Sequence, residues 1–89
     1  MGQEGFESSV RRLARTIRAR RLKLNLSQEY VAFEAGLSTR HYQQLESGSG
    51  NPTYRTIFNV ARVLNSTVLE LLEPTLRPRL KRQRAQKKR

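Results

Sequence analysis

The sequence predicts an all-α fold of five short helices, and three observations carry that expectation. Val10, Leu13, Ala14, Ile17, Arg21 and Leu24 recur at three- and four-residue spacing, which places them on one helical stripe. Hydroxyl residues stand where helices should begin, at Ser8 or Ser9, Ser27, Ser38, Thr53 and Thr67. Gly36, the Gly48-Ser49-Gly50-Asn51-Pro52 stretch and Pro74 punctuate the chain between and after these segments. With 89 residues and no cysteine, the chain is one small domain near the lower size limit for folding without disulfides. Its core must therefore come from closely packed helices.

The first helix is expected from Ser8 or Ser9 to about Lys23 or Leu24, with residues 1–7 a flexible leader. Leu22 and Leu26 are expected to add burial at its end. Asn25 is a natural left-handed stop, because its short polar side chain tolerates positive φ. Ser27 then caps a helix from Gln28 to Ala35 with Val31, Ala32 and Ala35 inward, and Gly36 permits a tight turn. Ser38 caps the next, from Thr39 to about Ser47, with Tyr42 and Leu45 inward. Thr53 caps a fourth helix to Leu64, whose apolar residues are Ile57, Phe58, Ala61 and Leu64. Thr67 with Glu70 three residues later forms a capping box for a short fifth helix, which Pro74 ends.

The second and third of these segments have the layout of a helix-turn-helix. The outward face of the third carries Thr39, Arg40, Gln43 and Gln44. Guanidinium and amide groups on a protruding helix can pair with base edges in a major groove, Arg with guanine and Gln with adenine. Ser27 and Gln28 stand at the start of the second segment, where free backbone N–H groups attract anions such as phosphate. Ser38 and His41 flank the reading face.

Composition narrows the function classes. A formal charge of +11 points to a polyanionic partner, nucleic acid first. Eight of the eighteen basic residues lie in residues 74–89 without an acid among them, and that segment is expected to be a disordered basic tail. A second basic run, from Arg11 to Lys23, gives the first helix a positive flank. With one histidine, no aspartate and no cysteine, the materials for a metal site or a catalytic triad are missing, so neither enzyme activity nor a cofactor is expected. No apolar run approaches the roughly 18 residues of a membrane span, and no signal peptide is evident. A cytoplasmic, nucleoid-associated protein is the corresponding expectation.

Arg21 interrupts an apolar stripe and Glu46 follows the inward Leu45, so both are drawn toward burial. Buried charges need partners, and these two are expected to pair. The short fifth helix has more apolar residues than one face can hide, which makes Val68, Leu69 and Leu72 the expected dimer interface.

Taken together, Ile17-Arg18-x-Arg20-Arg21, Leu26-Ser27-Gln28-Glu29, Ala35-Gly36-Leu37-Ser38, Leu45-Glu46-x-Gly48, Asn51-Pro52-Thr53 and Leu69-x-Leu71-Leu72 resemble the Cro and lambdoid-repressor class of helix-turn-helix domains, also called the XRE class. The resemblance covers about residues 10 to 73. It implies a compact, five-helix, lambda-repressor-like DNA-binding domain, acting as a homodimer on a palindromic operator in a bacterium or phage. It also implies base reading by Thr39, Arg40, Gln43 and Gln44, phosphate contacts from Gln28, Asn51 and Arg55, and a structural pairing of Arg21 with Glu46. Tyr42 departs from the pattern, which commonly has an aliphatic residue there, and the basic tail is not part of it. Two other function classes stay open: an antitoxin-type module that binds a protein partner and represses its own operon, and a nonspecific nucleic-acid binder that uses the tail.

Overall fold

The computed structural model describes residues 2–74, with side chains from Gly5 onward; the basic segment expected after Pro74 lies outside the described residues. Five helices follow one another: α1 (Gly2–Lys23), α2 (Gln28–Ala35), α3 (Thr39–Ser47), α4 (Tyr54–Val63) and α5 (Val68–Leu72). Helix α2 packs on both α3 and α4, whereas α1 packs on α3 and α5.

Local chemistry explains the boundaries. Ser27, Ser38, Thr53 and Thr67 each hold an extended backbone, and each side-chain oxygen accepts from the N–H three residues on, at Tyr30, His41, Thr56 and Glu70. The Glu70 carboxylate returns the bond by accepting from the Thr67 N–H at 3.1 Å, completing the capping box. Four helices end in one left-handed turn. Gly36 and Gly48 supply φ of 76° and 81°, and Asn25 and Asn65 supply 61° and 58°. In each case the following N–H reaches back five residues, as from Leu26 to the Arg21 carbonyl and from Ser66 to the Ala61 carbonyl.

These turns enclose a core of Leu13, Ile17, Val31, Ala32, Ala35, Tyr42, Leu45, Ile57, Val60, Ala61, Leu64 and Leu71. At about 25 cal/mol per Å² of apolar surface, burying each large member contributes roughly 1.5 to 3 kcal/mol against the entropy of ordering the chain.

The structure corrects the sequence reading in three places. Helix α1 begins at Gly2, not at Ser8 or Ser9, so the leader expected to be flexible is helical. No proline interrupts it, and adding a turn to an existing helix requires no new nucleus. Leu22 is half exposed, because it falls on the side of α1 opposite the buried stripe, and Leu24 lies past the last full turn. In α4, Val60 takes the fully buried place while Phe58 faces outward and stacks on Tyr54, with ring centroids 6.4 Å apart. Residues 57, 60, 61 and 64 share one face at 100° per residue; position 58 lies beside it.

Candidate nucleic-acid interface

The geometry is built outward from a buried ion pair. Arg21 Nε donates to Glu46 Oε2 at 2.5 Å and Nη2 donates to Oε1 at 3.2 Å, with the two side chains 9% and 3% exposed. The third guanidinium nitrogen, Nη1, donates to the Leu26 carbonyl at 2.8 Å. One arginine thus joins the end of α1, the turn before α2 and the last turn of α3. Two further donors complete the Glu46 carboxylate: Tyr42 Oη at 2.6 Å and Gln28 Nε2 at 2.9 Å.

This network sets the ionisation of its members. Burial alone would raise the Glu46 pKa, but the hydrogen bonds from Arg21, Tyr42 and Gln28 outweigh it and hold the carboxyl below its usual range. Burial, reinforced by the adjacent carboxylate, pushes the Tyr42 phenol well above its ordinary value. The hydrogen bond to Glu46 raises Arg21 further, so it stays charged. The aromatic at position 42 fits this core because its hydroxyl reaches Glu46 from four residues away, one turn along the same helix.

With Tyr42 and Leu45 held inward, the opposite side of α3 is turned to solvent. Arg40, Gln43 and Gln44 are exposed, and Thr39 is half-buried on the first turn. Gln43 is not isolated: its Nε2 donates to Gln28 Oε1 at 3.2 Å, while Gln28 itself donates to Glu46. A chain of hydrogen bonds therefore runs from the buried ion pair, through Gln28, to the outward face.

That chain changes the reading of Gln28. The sequence suggests an amide turned toward phosphate, but the structure has it half-buried and bonded within the protein on both its nitrogen and its oxygen. One N–H and one lone pair remain available. Ser27 and Ser38 are exposed caps whose oxygens accept from Tyr30 N at 2.9 Å and His41 N at 3.0 Å, which leaves each hydroxyl proton free to donate outward. Asn51 is exposed in the loop before α4, and Arg55 is exposed on the first turn of α4. His41 is a surface residue. Tyr30, Phe33 and Tyr54 are solvent-exposed side chains, with Phe33 at 79% the most open large apolar group described. On α5, Val68 and Leu72 pack partly against the core, and Leu69 alone is half exposed.

Sequence reasoning missed Arg20. Its Nε donates to the Leu64 carbonyl at 3.0 Å and its Nη2 to the Asn65 carbonyl at 3.0 Å, so a buried guanidinium closes the C-terminus of α4. A cation there also meets the negative end of the helix dipole. The one available signal was Asn65, a left-handed stop like Asn25, which marks carbonyls in need of a donor. Among the described residues no group of His, Cys, Asp or Glu is placed to hold a metal ion, and no helix is long and apolar enough to cross a membrane.

Known proteins place this arrangement. Residues 17–71 match the family described as Helix-turn-helix. Over 58 residues, 65% of this chain and 74% of the relative, the sequence is 40% identical to an uncharacterized HTH-type transcriptional regulator, y4dJ, of Sinorhizobium fredii (strain NBRC 101917 / NGR234). The fold is similar to that of the clp gene regulator ClgR from Corynebacterium glutamicum, with a TM-score of 0.71 over 90% of this chain and 84% of that one. Identity to ClgR is 19%, so the likeness is one of fold. Five helices, a turn at Gly36 between α2 and α3, and a match spanning α1 to α5 converge: this chain belongs to the XRE class of the helix-turn-helix family of transcriptional regulators.

Proposed function

We propose that this protein is a sequence-specific, double-stranded DNA-binding regulator that represses transcription by placing α3 in the major groove of a palindromic operator. The observation that carries the reading is the exposed face of α3, where Arg40, Gln43 and Gln44 stand opposite a side fastened by Arg21 and Glu46. Thr39, Arg40, Gln43 and Gln44 read base edges. Ser27, Ser38, Asn51 and Arg55 bind phosphates on either side, and Gln28 adds its remaining N–H. Val68, Leu69 and Leu72 join two copies, so that two α3 helices meet successive major grooves about 34 Å apart. The protein acts in the cytoplasm, on the nucleoid.

Selection of bound sites from a random duplex library tests this directly. The expected result is an inverted repeat with half-sites about 10 base pairs apart. Recovery of no consensus sequence overturns the reading in favour of nonspecific nucleic-acid binding. A consensus without symmetry, bound by monomers in sedimentation, removes the homodimer alone.

A further inference from the structure

The arginines of α1 sort into distinct groups by what they touch. Arg20 and Arg21 turn inward, and Arg12 Nη2 meets Glu73 Oε2 at 3.6 Å on the side facing α5. Arg11, Arg15 and Arg18 are exposed, and among the described residues none of the three has an ion pair. At 100° per residue these three fall within an arc of about 60°. They form a single cationic stripe along two turns of helix.

The position of that stripe follows from its neighbours. A Cβ built at Gly48 would lie 3.3 Å from Arg11 Cγ and 3.7 Å from Ala14 Cβ, so this part of α1 rests on the turn that leaves α3. One flank of α1 is thus anchored to α3 through Ala14 at Gly48 and Arg21 at Glu46; Arg11, Arg15 and Arg18 continue the same flank outward into solvent. The loop beginning at Gly48 also carries Asn51. The stripe and this loop therefore make one continuous surface, cationic over residues 11–18, with Glu7 one turn before Arg11 at its N-terminal end.

We propose that Arg11, Arg15 and Arg18 form a phosphate-binding track that extends the DNA interface beyond the helix-turn-helix, seating the backbone strand that passes the loop after α3. This rests on the DNA-binding reading above. The occupant is committed by charge: three unpaired guanidiniums on one face hold a linear polyanion through counterion release and bidentate contact, and they carry no sequence information.

The test is the salt dependence of operator binding by the full chain. In Arg15→Gln, Arg18→Gln and the triple variant with Arg11→Gln, the slope of log K against log salt should fall by about 0.9 for each arginine that meets a phosphate. Preference for operator over random duplex should not change. The triple Lys variant should keep the parent slope. Because Arg11 covers Gly48, melting by circular dichroism checks the fold of the triple variant; the two single variants lie at exposed positions and serve where it fails. A folded Gln variant with the parent slope overturns the track and leaves α3 as the reader. A Lys variant that loses as much slope as the Gln variant shows that charge is not the contact and overturns it too, as does loss of operator preference. A parent chain that binds no duplex overturns both this track and the function it rests on.

Discussion

Two adjacent arginines, Arg20 and Arg21, are buried to almost the same extent, yet they hold different junctions by different chemistry. Arg21 ties α1 to α3 through a carboxylate that is itself wrapped by Tyr42 and Gln28. Arg20 ties α1 to the end of α4 through two neutral carbonyls. The first junction balances charge with charge. The second relies on the partial negative charge that a helix C-terminus offers without any acidic side chain. The difference teaches that a buried cation in a small domain has two ways to be satisfied, and that they should fail differently.

The sharpest break is Glu46→Ala. It leaves the Arg21 guanidinium buried without its counter-charge, and because arginine cannot shed its proton, a loss of about 3 to 5 kcal/mol is expected in chemical denaturation. A loss under about 1 kcal/mol would show that the junction behaves as an exposed pair. Acid should act on the same junction. Since the Glu46 pKa is held below its unfolded value, its stabilisation is fully present above the ordinary carboxylate range and is lost as pH falls through the lower, folded pKa. Tyr42 has the opposite sign: its raised pKa favours the fold below about pH 10, the ordinary tyrosine value, and that contribution is lost as pH rises further. The Arg20 junction has carbonyls in place of the carboxylate and the phenol.

Arg20→Ala should cost about 3 kcal/mol, because two charge-assisted hydrogen bonds disappear and the Leu64 and Asn65 carbonyls lose their donor. Denaturation melts at pH 3 and pH 7 sharpen the comparison. The Arg20→Ala loss should be the same at both, whereas the Glu46→Ala loss should shrink in acid. If both shrink equally, the two junctions share one titrating group and the distinction drawn between them is wrong.

Next in size is the proposed reading face that the first junction supports. Arg40→Ala and Gln44→Ala should each weaken operator binding by about 1 to 3 kcal/mol without lowering stability. Titrations on cognate and shuffled duplexes decide it, and an equal loss on both means that these side chains do not read sequence. The smallest effect tests the link between junction and face. Gln28→Ala and Gln43→Ala should show a coupling of about 0.5 to 1 kcal/mol in a double-mutant cycle on operator binding, because Gln28 fixes one N–H of Gln43. Strict additivity would break the proposed connection between the ion pair and the groove.

Much of this was legible because the signals are local. A hydroxyl and the N–H three residues on define a cap, so Ser27, Ser38, Thr53 and Thr67 disclosed where α2 to α5 begin, and Gly36 and Asn25 disclosed where turns fall. Polar identity at positions 39, 40, 43 and 44 marked an outward face because two buried residues, Tyr42 and Leu45, fix the inward one. Even the partnership of Arg21 with Glu46 could be expected, since each sat where burial would strand a charge. Sequence by itself determined these features because their physics needs only neighbours within about one helical turn. Tertiary structure alone decided that Arg20 meets carbonyls 44 and 45 residues away, that Gln28 bonds to Glu46 and Gln43, and that Val60 is buried where Phe58 is not. Those outcomes depend on which helix ends and faces are brought together across the fold, and no pattern within a single helix encodes the partner that arrives from another.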